Sequence, residues 1–301
     1  MNIRKMRLPS GWYPHNAEDV KTFLKDYSLK AESTTQAVVS PHAGWFFSGR
    51  LAALAISSLR TDVDTVVVAG GHLPPNADIL FAQEDGVETP LGIMNIDSAL
   101  RTLLQQELGA HEDTEPDNTV EVLLPAVHYF FPNAKLLCLR LPPNMSSCEA
   151  GKIISRKAAQ AGRTLAVIAS TDLTHYGKSY GFSPQGEGEA ALRWVKEVND
   201  RRFLHALETG NPDEILKSAE QEHSACSAGA VLCALGFSEY ETQKHAAFEQ
   251  KEDKTDSGAA KLLGYTTSYD VLLEAGERDF PREFVSYAAL EFCSASNEAR
   301  P

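Results

Sequence analysis

Three of the nine histidines occupy the same kind of position. His42 follows the apolar run ending at Ser40, His72 the run ending at Ala69, and His175 the run ending at Ala169. In an open parallel sheet, ligands gather beyond the carboxyl ends of the strands, so histidines just past three strand ends are expected to share one crevice. Imidazoles there can ligate a metal ion or carry a proton near neutral pH. Gly44 follows His42, and Gly70 and Gly71 precede His72; glycine lets backbone approach a ligand closely. Asp172 stands three residues before His175, a spacing at which a carboxylate can orient an imidazole or hold it protonated. Each histidine taken singly reads as an ordinary loop residue, whereas the three with these neighbours read as a site.

Cys226 adds a different chemistry. It lies in His223-Ser224-Ala225-Cys226-Ser227-Ala228-Gly229, immediately before an apolar helix expected over 230–235, and a helix N-terminus stabilises thiolate. A thiolate there is a nucleophile or a metal ligand; the alternative is a small apolar residue packed at a helix start. The five cysteines, at 138, 148, 226, 233 and 293, show no C-x-x-C spacing, so neither a disulfide framework nor a zinc knuckle is expected. Cys138, Cys233 and Cys293 read as core, as does His128 in its apolar stretch 126–131. His15, His111, His205 and His245 read as surface residues.

The elements that must position these groups alternate along the chain. Asn16 can cap a helix whose Val20, Phe23, Leu24 and Tyr27 repeat at helical spacing. Apolar runs at 37–40, 64–69, 135–141 and 164–169 are separated by helical patterns near 50–59 and 149–161, which indicates a largely parallel sheet covered on both faces. An antiparallel pair of 78–83 with 91–96 and a late strand at 284–292 make that sheet mixed. The stretches 183–189 and 249–257 read as surface loops, and there is no internal repeat. The fold class is therefore α/β, one domain over 1–301 with a central mixed, largely parallel sheet flanked by helices.

Composition narrows the function. Over 301 residues, 43% apolar and 23% charged is an ordinary globular balance and excludes disorder as the dominant state. The 28 basic and 41 acidic residues leave a charge of −13, which repels a phosphate backbone and argues against nucleic-acid binding. No window approaches the ~18 consecutive apolar residues of a spanning helix, and residues 1–9 lack the apolar stretch of a signal peptide. A cytoplasmic protein without a membrane partner is expected.

Taken together and in order, these fragments resemble the Memo family. The specific pieces are Ser40-Pro41-His42-Ala43-Gly44-Trp45, Gly71-His72, Glu88-Thr89-Pro90-Leu91-Gly92, Val120-Glu121-Val122-Leu123-Leu124-Pro125, Ser170-Thr171-Asp172-Leu173-Thr174-His175-Tyr176-Gly177 and Tyr265-Thr266-Thr267-Ser268. The likeness runs from Leu8-Pro9-Ser10-Gly11-Trp12-Tyr13-Pro14 to Val285-Ser286-Tyr287-Ala288-Ala289 and so spans nearly the whole chain. The family is related in fold to the type III extradiol dioxygenases, which hold non-haem iron with two histidines and a glutamate. The resemblance implies that His42 and His72 take the two histidine ligand positions, and that Cys226 replaces the carboxylate. It places His175 at the acid–base histidine beside the metal, and Asp172 and Glu121 among the remaining catalytic pocket residues. Because bacterial members are grouped with a radical-SAM protein and a third component, it also implies a radical-SAM partner. The chain departs from the family pattern at Ala69-Gly70-Gly71-His72, where Gly-Pro-Asn-His is usual. Asn118 stands where a histidine is usual, and Cys226-Ser227 where Cys-Gly is usual.

Three functional classes follow from these residues. The first is a redox metal-binding protein or oxidoreductase with an unknown small-molecule or peptide ligand. Two histidines and a thiolate suit a divalent or cuprous ion, iron or copper foremost and zinc within range, with affinity expected to fall below about pH 6 as imidazoles protonate near ~6.5. The second is a non-catalytic peptide-binding module that keeps a vestigial pocket, as in eukaryotic Memo adaptors that recognise a phosphotyrosine peptide. The third is a cysteine-dependent hydrolase or transferase with Cys226 as nucleophile, His175 or His42 as base, and Asp172 or Glu121 orienting it.

Overall fold

Four short strands without a polar face lie at the centre of the molecule. In the computed structural model, which describes residues 1–115, 117–249, 259–280 and 282–293, these strands run parallel in the order Ala37–Ser40, Leu165–Ser170, Thr65–Gly70 and Lys135–Arg140. Every residue of the first three is buried. Successive side chains of a strand point to opposite faces, so burial of all of them means that both faces are covered.

Antiparallel strands extend the sheet at both sides. Phe284–Phe292 pairs with Ala37–Ser40, and itself carries His175–Tyr176 and Ala260–Thr267. On the other side Leu80–Ala82 pairs antiparallel with Lys135–Arg140 and parallel with His111–Asp113. The fold is thus α/β with a mixed, centrally parallel sheet, as expected. The late strand is where the sequence pattern places it, and Asn16 caps the first helix, Ala17–Leu24, by accepting from the Asp19 N–H.

One pairing differs from expectation. Gly92–Asn95 pairs with Gly86–Thr89, which also takes Ile3–Arg4 alongside, and does not pair with the 78–83 segment. The physical reason is local: Thr89 Oγ1 donates to the Gly92 carbonyl and accepts from Leu91 N–H, and Gly92 has a φ of +126°, so a tight turn claims this strand first. Helices begin earlier than their apolar spacing indicates, at Trp45–Ser57 and Met145–Gln160. The helix after Cys226 is much longer, Ala228–Glu249.

That long helix packs backbone to backbone on Met145–Gln160. A Cβ on Gly151 would lie 2.0 Å from the Cys233 carbonyl, and one on Gly236 would lie 2.0 Å from the Cys148 carbonyl. At Gly229 a Cβ would meet the Pro142 carbonyl at 2.3 Å, so glycine alone allows this seating. The contact sets the position of the helix N-terminus and with it Cys226.

One apolar cluster runs from Tyr13 to Phe292, and a smaller one gathers Tyr176, Ala191, Leu192, Val195 and Phe284. Cys138 and Cys233 are core residues, but Cys293 is only half-buried because the strand ends at Phe292. His15, His111 and His205 are exposed, whereas the side chain of His245 and residues 250–257 lie outside the described set. His128 is half-buried, its Nδ1 2.6 Å from Thr89 Oγ1. Among the described residues no helix is long and apolar enough to cross a membrane.

Candidate metal centre

The parallel strands Ala37–Ser40, Leu165–Ser170 and Thr65–Gly70 are neighbours, with Ser40 opposite Ser170 and Ala69 opposite Ala169. Their carboxyl ends are therefore level, and the segments carrying His42, His175 and His72 leave from one edge. The rings of His42 and His72 meet edge to face, with centroids 5.1 Å apart.

His42 is fully enclosed. Its Nδ1 lies 2.9 Å from Ser170 Oγ, its backbone N–H donates to Asp172 Oδ1 at 2.7 Å, and its Nε2 lies 3.2 Å from Cys226 Sγ. His72 adopts a left-handed φ of +58°, a conformation that costs a non-glycine residue ~1–2 kcal/mol and needs its surroundings to hold it. Asp117 does so on one side, its Oδ2 3.5 Å from His72 Nδ1. Behind the ring, Gly71 N–H donates to Thr119 Oγ1 at 3.2 Å.

Cys226 precedes the long helix and is clasped to the 170–175 segment. The Asp172 N–H donates to its sulfur at 3.3 Å, the Cys226 N–H donates to the Asp172 carbonyl at 3.3 Å, and the Ser227 N–H donates to Thr171 Oγ1 at 3.1 Å. His175 stands beside this group. Its Nε2 lies 3.8 Å from Asp172 Oδ2, an ion-pair separation and not a hydrogen bond. That nitrogen is buried with no hydrogen-bond partner among the described residues. The Tyr180 ring packs against the His175 imidazole at 5.1 Å.

The charges couple strongly. Burial opposes a charged His42, but Asp172 and Cys226 outweigh it and raise the imidazole above its ordinary range. Burial opposes charge on His72 as well, yet the contacts to Asp117 and Cys226 push it up to about 10. His175 rises to about 9 against its own burial, through Asp172 and Cys226. Burial would raise the Cys226 thiol, but His42, His175 and His72 hold it well below the ordinary thiol range. In the metal-free protein the histidines and Cys226 thus favour each other's charged forms.

Of the residues singled out in the sequence, the structure brings together His42, His72, Cys226, Asp172 and His175. Glu121 Oε1 accepts from the Arg7 and Leu8 N–H groups and from Tyr13 OH, each at 2.8 Å, and so anchors the N-terminal segment. Asp117 is a site residue that the sequence did not disclose. It also accepts from Thr119 N–H at 2.9 Å, so its visible signal was that of a helix cap. The contact to Arg140 at 3.4 Å, and Arg140's pair with Asp113 at 2.6 Å, tie it into a buried ionic chain.

The donor set fits a metal ion. One ligand atom each from His42, His72 and Cys226 lies within 4.8 Å of the others. Bonds of ~2.0–2.3 Å to nitrogen and sulfur let one ion reach all three with small side-chain adjustments. Ser170 and Asp117 occupy the Nδ1 positions of the two histidines, which leaves both Nε2 atoms for ligation, the usual arrangement around metal-bound imidazole.

The Memo family profile, described as "Memo-like protein", matches residues 4–289. The chain belongs to the Memo-like family. Among its relatives is a MEMO1 family protein of Pyrococcus abyssi, 28% identical over 287 residues that cover 89% of this chain and 94% of that one. A MEMO1 family protein of Methanothermobacter thermautotrophicus is 31% identical over 211 residues, covering 66% of this chain and 71% of that one. The crystal structure of an uncharacterised Escherichia coli K12 protein aligns with a TM-score of 0.47 at 11% identity, covering 86% of this chain and 100% of that one. Gly71, just before His72, abuts Ser227, just after Cys226.

Proposed function

We propose that this Memo-like protein is a metal-binding redox protein or oxidoreductase, with His42, His72 and Cys226 as ligands and His175 as the proton-handling group beside them. The observation that carries the reading is the donor geometry: two imidazoles and a thiolate converge while Ser170 and Asp117 hold the opposite ring nitrogens. A divalent or cuprous ion there, iron or copper foremost and zinc within range, would supply Lewis acidity or electron transfer to a bound small molecule or peptide group. His72 and His175 each keep a third of their side chain exposed, at 33%, the side from which a ligand would approach. His175 can hold a proton at Nε2 and move it to or from that ligand, and Asp172 sets its charge and orientation.

The experiment is metal analysis of protein purified without chelator, alongside oxygen consumption. Bound iron, copper or zinc near one equivalent in wild type, lost in His42→Ala/His72→Ala, supports the reading. Metal content unchanged in that double variant places the ion elsewhere and overturns it.

A second reading is favoured by one observation: Cys226 Sγ lies 3.2 Å from His42 Nε2 and accepts the Asp172 N–H, the pairing of a nucleophilic thiolate with its imidazole. Alkylation by iodoacetamide separates the two. Protection of Cys226 by one equivalent of metal favours ligation, and alkylation indifferent to metal favours the metal-free nucleophile.

A further inference from the structure

Behind the 172–175 segment, away from the ligand side, lies a polar cluster that the metal reading does not use. Asp200 and Asn199 are wholly buried, at the junction of the π-helical turn Val195–Asn199 with the helix Asp200–Glu208. Such turns inside helices re-aim side chains and recur at functional sites. Asp200 Oδ1 accepts from Thr174 Oγ1 and, at 3.4 Å, from the Thr174 N–H. Its Oδ2 accepts from Tyr265 OH at 2.6 Å. Asn199 Nδ2 donates to Thr174 Oγ1 at 2.9 Å and to the Glu222 carbonyl at 2.8 Å, while its Oδ1 is buried without a partner among the described residues. From the other side, the Ser286 N–H donates to the Thr174 carbonyl at 3.0 Å and the Leu173 N–H donates to the Ser286 carbonyl at 2.9 Å.

Burial of a carboxyl is unfavourable unless its oxygens are hydrogen-bonded, and here the donors come from Thr174 and Tyr265. Thr174 is the residue immediately before His175 and two after Asp172. Asp172 in turn donates its N–H to Cys226 Sγ and accepts the His42 N–H. A shift at Thr174 therefore moves the acid–base histidine and two of the three donors together.

We propose that Asp200 is a positioning residue: by gripping Thr174 it fixes where His175 and Asp172 stand relative to Cys226. It recruits Tyr265, from the Tyr265-Thr266-Thr267-Ser268 piece, into the site at one remove. The second readout below rests on the metal reading, and the first does not.

The first readout is NMR of the full chain, metal-free. The imidazole Cε1–Hε1 resonance of His175, assigned by its loss in His175→Gln, reports the ring's surroundings. Asp200→Ala is expected to shift or split it. Asp200→Asn keeps an acceptor for Thr174 and is expected to restore it, and Phe203→Leu, a buried change on the same helix, should leave it in place. The second readout is cobalt(II) titration followed by the thiolate charge-transfer band, in which Asp200→Ala should weaken binding on the order of 10-fold. A His175 resonance unmoved in folded Asp200→Ala overturns the proposal. Should that variant not fold, Thr174→Val and Tyr265→Phe remove the contacts singly, and a His175 resonance unmoved in both overturns it equally. A wild type that takes up no cobalt defeats the metal reading, while the resonance comparison still decides Asp200.

Discussion

Ser227 fills the space that a side chain at position 71 would need: a Cβ built on Gly71 would lie 2.4 Å from Ser227 Cβ and 2.5 Å from its Oγ. No real Cβ contact is that short, so residues 71 and 227 share one volume between them. In this chain the small residue of the pair is Gly71 and the larger is Ser227. Gly71→Asn is expected to destabilise by about 1–3 kcal/mol through overpacking, and adding Ser227→Gly should recover most of it. Urea unfolding of the single and double variants measures the coupling; strict additivity would show that the two sites do not share space.

Metal affinity should keep rising well above the ordinary histidine range. His72 and His175, held at about 10 and about 9 in the metal-free protein, carry protons at pH 7, and ligation by His72 must expel one. The competition that the sequence placed below about pH 6 therefore extends upward toward pH 9–10. Chelator-competition measurements between pH 6 and 9 should show affinity increasing roughly tenfold per pH unit for each proton released. A flat profile above pH 7 would mean that the imidazoles are already neutral.

The same shifts make the metal-free fold weaker on the alkaline side. A histidine whose folded pKa is raised contributes stability that is complete below its unfolded value of ~6.5 and is lost as pH rises through the folded one. Cys226, depressed, acts oppositely, contributing above the unfolded thiol range and less as pH falls through its folded value. Between about pH 6.5 and 9, His72 and His175 hold two protons in the folded state while the unfolded state holds one on Cys226, so stability declines with rising pH. Denaturant unfolding should show this decline in wild type and a flatter profile in His72→Gln.

His175 and Asp172 should separate in metal analysis. His175→Ala should leave metal content near wild type and remove most turnover, since a positioned acid–base histidine contributes ~10²- to 10⁴-fold. Asp172→Ala is expected to lower metal affinity as well, because Asp172 Oδ1 accepts the His42 N–H at 2.7 Å, an acceptor that Asp172→Asn keeps. Elemental analysis of both variants checks this, and loss of metal in His175→Ala would move that residue onto the ion.

Glu121 should behave as an anchor. Its Oε1 holds two backbone N–H groups and Tyr13 OH, so Glu121→Ala should cost about 1–3 kcal/mol and speed limited proteolysis within residues 1–13, with metal content unchanged. Metal loss without faster proteolysis would return Glu121 to the site.

The architecture and much of the site are legible in the order of residue types along the chain. Short β-branched apolar runs without a polar face, alternating with helical patterns, read as strands buried on both sides, and level parallel strands deliver whatever follows them to one edge. His42, His72 and His175 were therefore legible as a group, and the Memo resemblance supplied Cys226 from far along the chain. Tertiary structure alone decided the rest, because contacts between segments distant in sequence leave no periodicity to read. Asp117 shows a cap's signature, and only the fold turns its second oxygen toward His72. Glu121 was named by resemblance as a pocket residue, and only the fold brings residues 7–13 onto its Oε1. Asp200 sits in a helix with no local mark of function, and its role arises only where Thr174 and Tyr265 are folded onto its two oxygens.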